Sequence, residues 1–140
     1  TRLLEPEFYF DVNKLLSESP FTWYVLEGFR SKARSAKLYE EYMFGILQPD
    51  GTRKKGPRAA PAGKSAHNFG LAIDVVLDVD NNPKNGLQPT WDINLAGWAW
   101  LKAKTLIHPR LKGGWKFSDW PHIERLEWER YKNWLDVTGG

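Results

Sequence analysis

Leu71-Ala72-Ile73-Asp74-Val75-Val76-Leu77-Asp78-Val79 alternates along its length: Leu71, Ile73, Val75, Leu77 and Val79 share one face of an extended chain, and Ala72, Asp74, Val76 and Asp78 share the other. This pattern predicts a strand whose odd-numbered face enters the core. Asp74 then projects from rigid backbone on the opposite face, toward whatever covers it. Immediately upstream, Gly70 permits a sharp turn, so His67 and Asp74 can face a single point.

Working outward, residues 48–66 are rich in proline and glycine and poor in apolar side chains, which reads as a long functional loop. Before it, Ala36, Tyr39, Met43 and Ile46 or Leu47 recur at helical spacing, predicting a helix from Ser31, its N-cap, to about Leu47. Thr22 to Leu26 is aromatic and β-branched between Pro20 and Gly28, a short strand. Downstream, a helix is predicted over Asn94 to Ile107, with Leu95, Trp98, Ala99, Ala103 and Leu106 inward and Pro109 ending it. A strand follows around His122-Ile123-Glu124, and then a helix carrying Trp128, Tyr131 and Leu135. The elements mix without a regular βαβ rhythm. The expected class is α+β, a small and mainly antiparallel sheet packed with helices, in one domain over residues 1–140.

Composition narrows the chemistry. The 140 residues contain no cysteine, so disulfides, thiol nucleophiles and thiolate metal sites are excluded together. A metal here must take nitrogen and oxygen ligands. The net charge is +3, with Arg53, Lys54, Lys55, Arg58 and Lys64 concentrated in the long loop. Such a cluster is either a solvated loop or an attractor of polyanions, and charge alone selects no partner. No apolar run reaches the length of a membrane span, and Thr1 to Pro6 lacks the apolar stretch of a secretion signal.

Two segments carry the chemistry: Ser65-Ala66-His67-Asn68-Phe69-Gly70-Leu71-Ala72-Ile73-Asp74 and Asp119-Trp120-Pro121-His122-Ile123-Glu124. They hold two of the three histidines, each near carboxylates. Two imidazoles and a carboxylate would hold Zn²⁺ with the fourth tetrahedral position left to water, as catalytic zinc sites do. By spacing alone, a structural histidine is the better reading.

The pattern S-x-H-x-x-G-x-A-x-D at Ser65 to Asp74, followed by D-x-x-H, resembles the VanY-type zinc peptidases of the D-Ala-D-Ala carboxypeptidase family. Glu27-Gly28-Phe29-Arg30-Ser31 matches that family's E-G-[YF]-R-S segment, and Gly113 to His122 resembles the branch of phage endolysin L-alanyl-D-glutamate peptidases. The resemblance spans about residues 20 to 125. It implies a Hedgehog/D-Ala-D-Ala-peptidase-like fold and one Zn²⁺ held by His67, Asp74 and His122. It further implies Asp119 as general base, Arg30 as a cation facing the scissile carbonyl, and Ser65 at the pocket edge. Where relatives often carry Gln, this chain has Ser35, which leaves a substrate-side contact there open. Exchange of the roles of Asp74 and Asp119 is the main alternative within the scheme.

Other residues have competing readings. His108 stands at a helix end, where its charged form would meet the helix dipole. Glu124 shares a strand face with His122 and is either an orienting acceptor or a surface carboxylate. Asp78 to Asn82 begins like a calcium loop, yet Pro83 stands where that loop needs glycine, so a polar turn is preferred. Trp98, Trp128 and Trp134 fit core packing, whereas Trp120 either lines a substrate groove or packs.

The leading expectation is a monomeric endolysin-type peptidase acting on bacterial peptidoglycan, a phage lysin reaching the wall from the host cytoplasm. A D-Ala-D-Ala carboxypeptidase is the second expectation, and a non-catalytic zinc or wall-binding module the third. A nucleic-acid binder rests only on the basic loop and is not expected.

Overall fold

The computed structural model describes residues 4–80, 84, 86 and 88–134. Among these the elements run α1 (Pro6–Ser17), β1 (Trp23–Glu27), α2 (Lys32–Phe44), β2 (Ile46–Leu47), β3 (Arg53–Lys54), β4 (Ala72–Asp78), β5 (Pro89–Thr90), α3 (Ala96–Ile107), β6 (Leu111–Gly114) and β7 (Asp119–Arg125). Short 3-10 turns cover Ala66–Phe69, Trp115–Phe117 and Trp128–Arg130. The main sheet has the order β1-β4-β7-β6, antiparallel throughout, with β5 also pairing β4. The α+β expectation holds.

The predicted strand at 71–79 is β4, and it lies inside the sheet rather than at an edge. Its odd face is buried through Leu77, but Val79 falls beyond the strand end and is exposed. The even face is buried as well, at Ala72, Val76 and Asp78. Alternation in the sequence therefore signals two different coverings: apolar core below, and the Asp74 site above. Over the odd face α3 comes close enough that a Cβ on Gly97 would meet the Leu77 side chain at 2.6 Å. Trp23, paired with Leu77, meets Trp98 edge-to-face at 5.1 Å on the same side.

α1 is an element the sequence reading does not assign. Glu5 caps it by accepting from the Glu7 and Phe8 amides at 3.1 and 2.7 Å, Pro6 opens it, and Phe8, Val12 and Leu15 enter the core. Its Asp11, 2% exposed, accepts two hydrogen bonds from the Arg110 guanidinium at 2.7 and 2.9 Å.

Several expectations are corrected. α2 ends at Phe44, and Ile46 and Leu47 instead form a two-stranded ribbon with Arg53 and Lys54. Ala36 and Met43 are exposed, and the one buried residue of α2 is Ser35. α2 flanks the cleft rather than capping the core, so its apolar spacing does not mark a buried stripe. On α3 the buried set is Gly97, Trp98, Leu101 and Thr105, whereas Ala99, Ala103 and Leu106 face solvent. Gly97 lies directly against Leu77, whose side chain would have to shift to admit a Cβ there. The loop at 48–66 is not structureless, since it contains β3 and is tied to α2 by the Gly56 amide donating to the Glu41 carbonyl at 3.1 Å.

The expected last helix is a 3-10 turn at Trp128–Arg130, with Trp128 stacked on Phe69 at 5.7 Å and Tyr131 exposed. Leu135 lies outside the described residues, as do Asn81 to Pro83 of the calcium-like segment. Asp78 itself is buried at the end of β4 and accepts from the Gln88 amide at 3.2 Å.

Candidate metal and active site

Three neighbouring strands line up the site. In register, Asp74 on β4 pairs with His122 on β7 and with Glu27 on β1. Continuing the Val25–Val75 pairing would put Leu26 opposite Asp74, but a bulge between Val25 and Glu27 delivers Glu27 there instead. A second irregularity lies between β6 and β7, where Gly113 pairs with Ile123 but Gly114 pairs with Asp119. A Cβ on Gly114 would strike the Asp119 carbonyl and stand 3.0 Å from His122 Cβ, so a side chain there would displace both residues.

His67 enters from the 3-10 turn Ala66–Phe69 rather than from the sheet. The Ser65 hydroxyl accepts from the His67 amide at 3.2 Å, and Gly70, at φ 66°, closes the turn in the left-handed region that favours glycine. Asn68 secures the turn from below. Its amide group donates to Ser35 Oγ at 2.7 Å and to the Arg30 carbonyl at 2.9 Å. Its oxygen accepts from the Gly63 and Ser65 amides at 3.0 and 3.3 Å. The Arg30 amide in turn donates to the His67 carbonyl at 2.9 Å.

One ligand atom each from His67, Asp74 and His122 lies within 4.8 Å of the others. His67 Nε2 is 3.4 Å and His122 Nδ1 is 3.3 Å from Asp74 Oδ1. Each imidazole is fixed through its other nitrogen. His67 Nδ1 donates to the Gly28 carbonyl, which can only accept, at 2.8 Å, and His122 Nε2 donates to Glu124 Oε1 at 2.8 Å. In the neutral rings, Nε2 of His67 and Nδ1 of His122 would then turn their lone pairs to one point beside Asp74. This nitrogen and oxygen set fits a tetrahedral divalent cation with a position to spare. Asp74, not Asp119, stands between the two imidazoles.

With no ion present, the groups of the site bond one another, and the two aspartates differ. Burial would raise the Asp74 carboxyl, but hydrogen bonds from His122 and His67 overrule it and hold the group well below the usual carboxylate range. Burial likewise opposes charge on His122, yet the bonds to Asp74 and Glu124 lift it to about 9. Loss of solvation in the cleft raises Asp119, with His122 opposing and Asp74 adding to the rise. Arg30 is held by two bonds to Glu27 at 2.8 and 2.9 Å, and its Nη2 is 3.9 Å from Asp74 Oδ2. Those bonds to Glu27 raise the Arg30 guanidinium further, against the effect of burial.

These residues line a cleft of about 930 Å³, a size that suits a short peptide. Arg30, Ser65, His67, Asp74, Asp119 and His122 all face it. Ser35 and Trp120 do not. Ser35 is 1% exposed and spends its hydroxyl on Asn68, so a direct substrate contact is corrected to support of the His67 turn. Trp120 packs against the core, with Lys102 of α3 at 5.9 Å over its ring, so the packing reading replaces the groove reading.

Glu124 is the orienting acceptor rather than a plain surface carboxylate. His108 is not a charged partner of the helix end. Its Nδ1 accepts from the Arg110 and Leu111 amides at 3.0 and 3.1 Å, and burial lowers its pKa. Asn68 and the bidentate hold of Glu27 on Arg30 went unread in the sequence, although both lie inside the quoted motifs. Phe117, exposed at the cleft rim, also escaped notice.

Comparisons with known proteins follow the same line. A family model described as VanY, D-alanyl-D-alanine carboxypeptidase, matches residues 7–106, taking in Arg30, His67 and Asp74 and ending before Asp119 and His122. The peptidoglycan L-alanyl-D-glutamate endopeptidase CwlK of Bacillus subtilis (strain 168) is 36% identical over 114 residues, covering 73% of this chain and 59% of that protein. This chain therefore spans about three fifths of the length of that relative. The crystal structure of the Serratia marcescens L-Ala D-Glu endopeptidase ChiX aligns with a TM-score of 0.61 at 19% identity, covering 94% of this chain and 86% of that one, a likeness of fold. With the family model matching most of its length, this chain belongs to the VanY family.

Proposed function

We propose that this chain is a zinc-dependent peptidoglycan peptidase that hydrolyses the bond between L-alanine and D-glutamate in stem peptides. The observation that carries the reading is the convergence of His67, Asp74 and His122 in an open cleft beside a carboxylate that is not one of the three. His67 Nε2, Asp74 Oδ1 and His122 Nδ1 would hold one ion. Zinc bound there would acidify water and polarise the scissile carbonyl. Asp119, 4.0 Å from His122 Nδ1, takes the proton of the attacking water and returns it to the leaving amine. Arg30, its guanidinium fixed by Glu27, turns positive charge toward the carbonyl oxygen as negative charge builds there. Ser65 borders the same cleft.

The name of the Bacillus relative supports the choice of bond. The description of the family favours a second reading, removal of a terminal D-alanine. Action on the wall as a monomer, without nucleic acid, belongs to the proposal, and so does the endolysin branch, although the relatives named above are bacterial. No helix among the described residues is long and apolar enough to cross a membrane. Digestion of purified cell walls with and without chelator, followed by mass spectrometry, is the test. New N-terminal glutamate supports the first reading, released alanine the second, and chelator-insensitive or absent cleavage refutes both.

A further inference from the structure

The charges around the cleft are unevenly partnered. Its carboxylates are engaged: Glu27 with Arg30 at 2.8 Å, Asp74 with two imidazoles, Glu124 with His122 at 2.8 Å, and Asp119 4.0 Å from His122. Four of its cations have no ion pair among the described residues, and one of these, Lys112, lies 5.8 Å over the Phe117 ring. The others, Arg34, Arg58 and Lys64, line the wall made by α2 and the 57–65 loop. The loop bearing Arg58 and Lys64 is pinned at both ends. Gly56 bonds to Glu41, where a Cβ would come within 2.9 Å of the carbonyl oxygen, and Gly63 bonds to Asn68. The backbone that carries Arg58 is thereby tied to α2 and to the His67 turn, within the lining of the same cleft.

Glutamate has two carboxyl groups. Whichever of them carries the peptide onward, the other stays free, whereas an internal alanine has no free carboxyl. A peptide cut between alanine and glutamate therefore carries its nearest negative charge on the leaving side of the bond. We propose that Arg34, Arg58 and Lys64 form a subsite for the free carboxylate of the leaving-side residue, and so set the direction in which the peptide lies across the site. This rests on the peptidase reading. Charge-assisted bonds to a carboxylate, partly screened by salt at an open wall, account for a preference of about tenfold.

The test uses two synthetic peptides that differ only in the leaving-side residue, D-glutamate with its free carboxylate or the corresponding amide, and the full zinc-loaded chain. The wild-type protein is expected to favour the acid in kcat/KM by about tenfold, mainly through KM, with the preference shrinking as salt is added. A variant with Arg34→Gln, Arg58→Gln and Lys64→Gln together should bring the ratio toward one while keeping wild-type metal content and melting temperature. The subsite is overturned if the wild-type protein cuts both peptides alike. It is also overturned if the triple variant keeps the ratio and loses only its affinity for intact walls, which would make these cations a general polyanion surface. A wild-type protein that cuts neither peptide sinks the peptidase reading itself.

Discussion

Asn68→Ala removes the side chain that ties the His67 turn to α2 and to the Arg30 segment. Four good hydrogen bonds go with it: to Ser35 Oγ at 2.7 Å, to the Arg30 carbonyl at 2.9 Å, and from the Gly63 and Ser65 amides at 3.0 and 3.3 Å. At about 1 kcal/mol net for each, the loss is about 4 kcal/mol if nothing compensates. Gly63 and Ser65 are partly exposed, and water recovers some of their share. Ser35 is 1% exposed and its hydroxyl is left without that donor. The expected destabilisation is therefore about 2–4 kcal/mol, or roughly 6–12 °C in Tm for a chain of this size. Urea unfolding of the metal-free proteins measures it, with the slope m unchanged. Because the turn carries His67, metal affinity should fall in parallel. Asn68→Asp keeps the two acceptor bonds but sets a carboxylate against the Arg30 carbonyl, so it should fail to rescue. A double-mutant cycle with Ser35→Ala should return a coupling of about 1 kcal/mol. A loss under about 0.5 kcal/mol with unchanged metal affinity would refute the assignment of Asn68 as the support of the site.

Asp119→Ala should keep bound metal and lose about 10²–10⁴-fold in hydrolysis, whereas His67→Ala should lose the metal too; metal analysis of both purified variants separates the roles. Glu124→Gln keeps an acceptor for His122 Nε2 but removes its charge, and metal affinity should drop about 10- to 100-fold in a competitive chelator titration. Hydrogen bonds from Arg110 outweigh burial and hold the Asp11 carboxyl below its ordinary 3.8. Its contribution is present above that value and is lost as pH falls through the lower value of the folded state. Asp11→Asn should therefore lower Tm at pH 7 and narrow the gap between Tm at pH 7 and pH 3, as calorimetry would read; an unchanged gap counts against the pair.

Much of the site could be read before any coordinates, because its parts sit in short segments whose meaning is local. Gly70 was legible as the sharp turn after His67, whereas the capping of that turn by the Ser65 hydroxyl emerged only with the structure. β4 announces itself by alternation, and Asp74 falls on the face opposite the apolar one. The motif around Arg30 lies just after a readable strand. What could not be read depended on partners far away in sequence. The buried stripe of α3 was misjudged because Gly97, not a large apolar residue, meets Leu77. α2 looked amphipathic but borders a cleft, and burial there is confined to Ser35 under Asn68.

Residue order alone determined which side chains were available for a nitrogen and oxygen metal site, and in which strand and turn each would stand, since turn chemistry and strand periodicity act over a few residues. Tertiary structure decided how those side chains meet. The bulge sets Glu27 in register with Asp74, the irregular β6–β7 pairing accompanies Asp119 into the cleft while Trp120 packs away from it, and Glu124 holds the ring of His122. Pairing register and ring orientation come from contacts between strands brought together only by folding, and no local pattern encodes them.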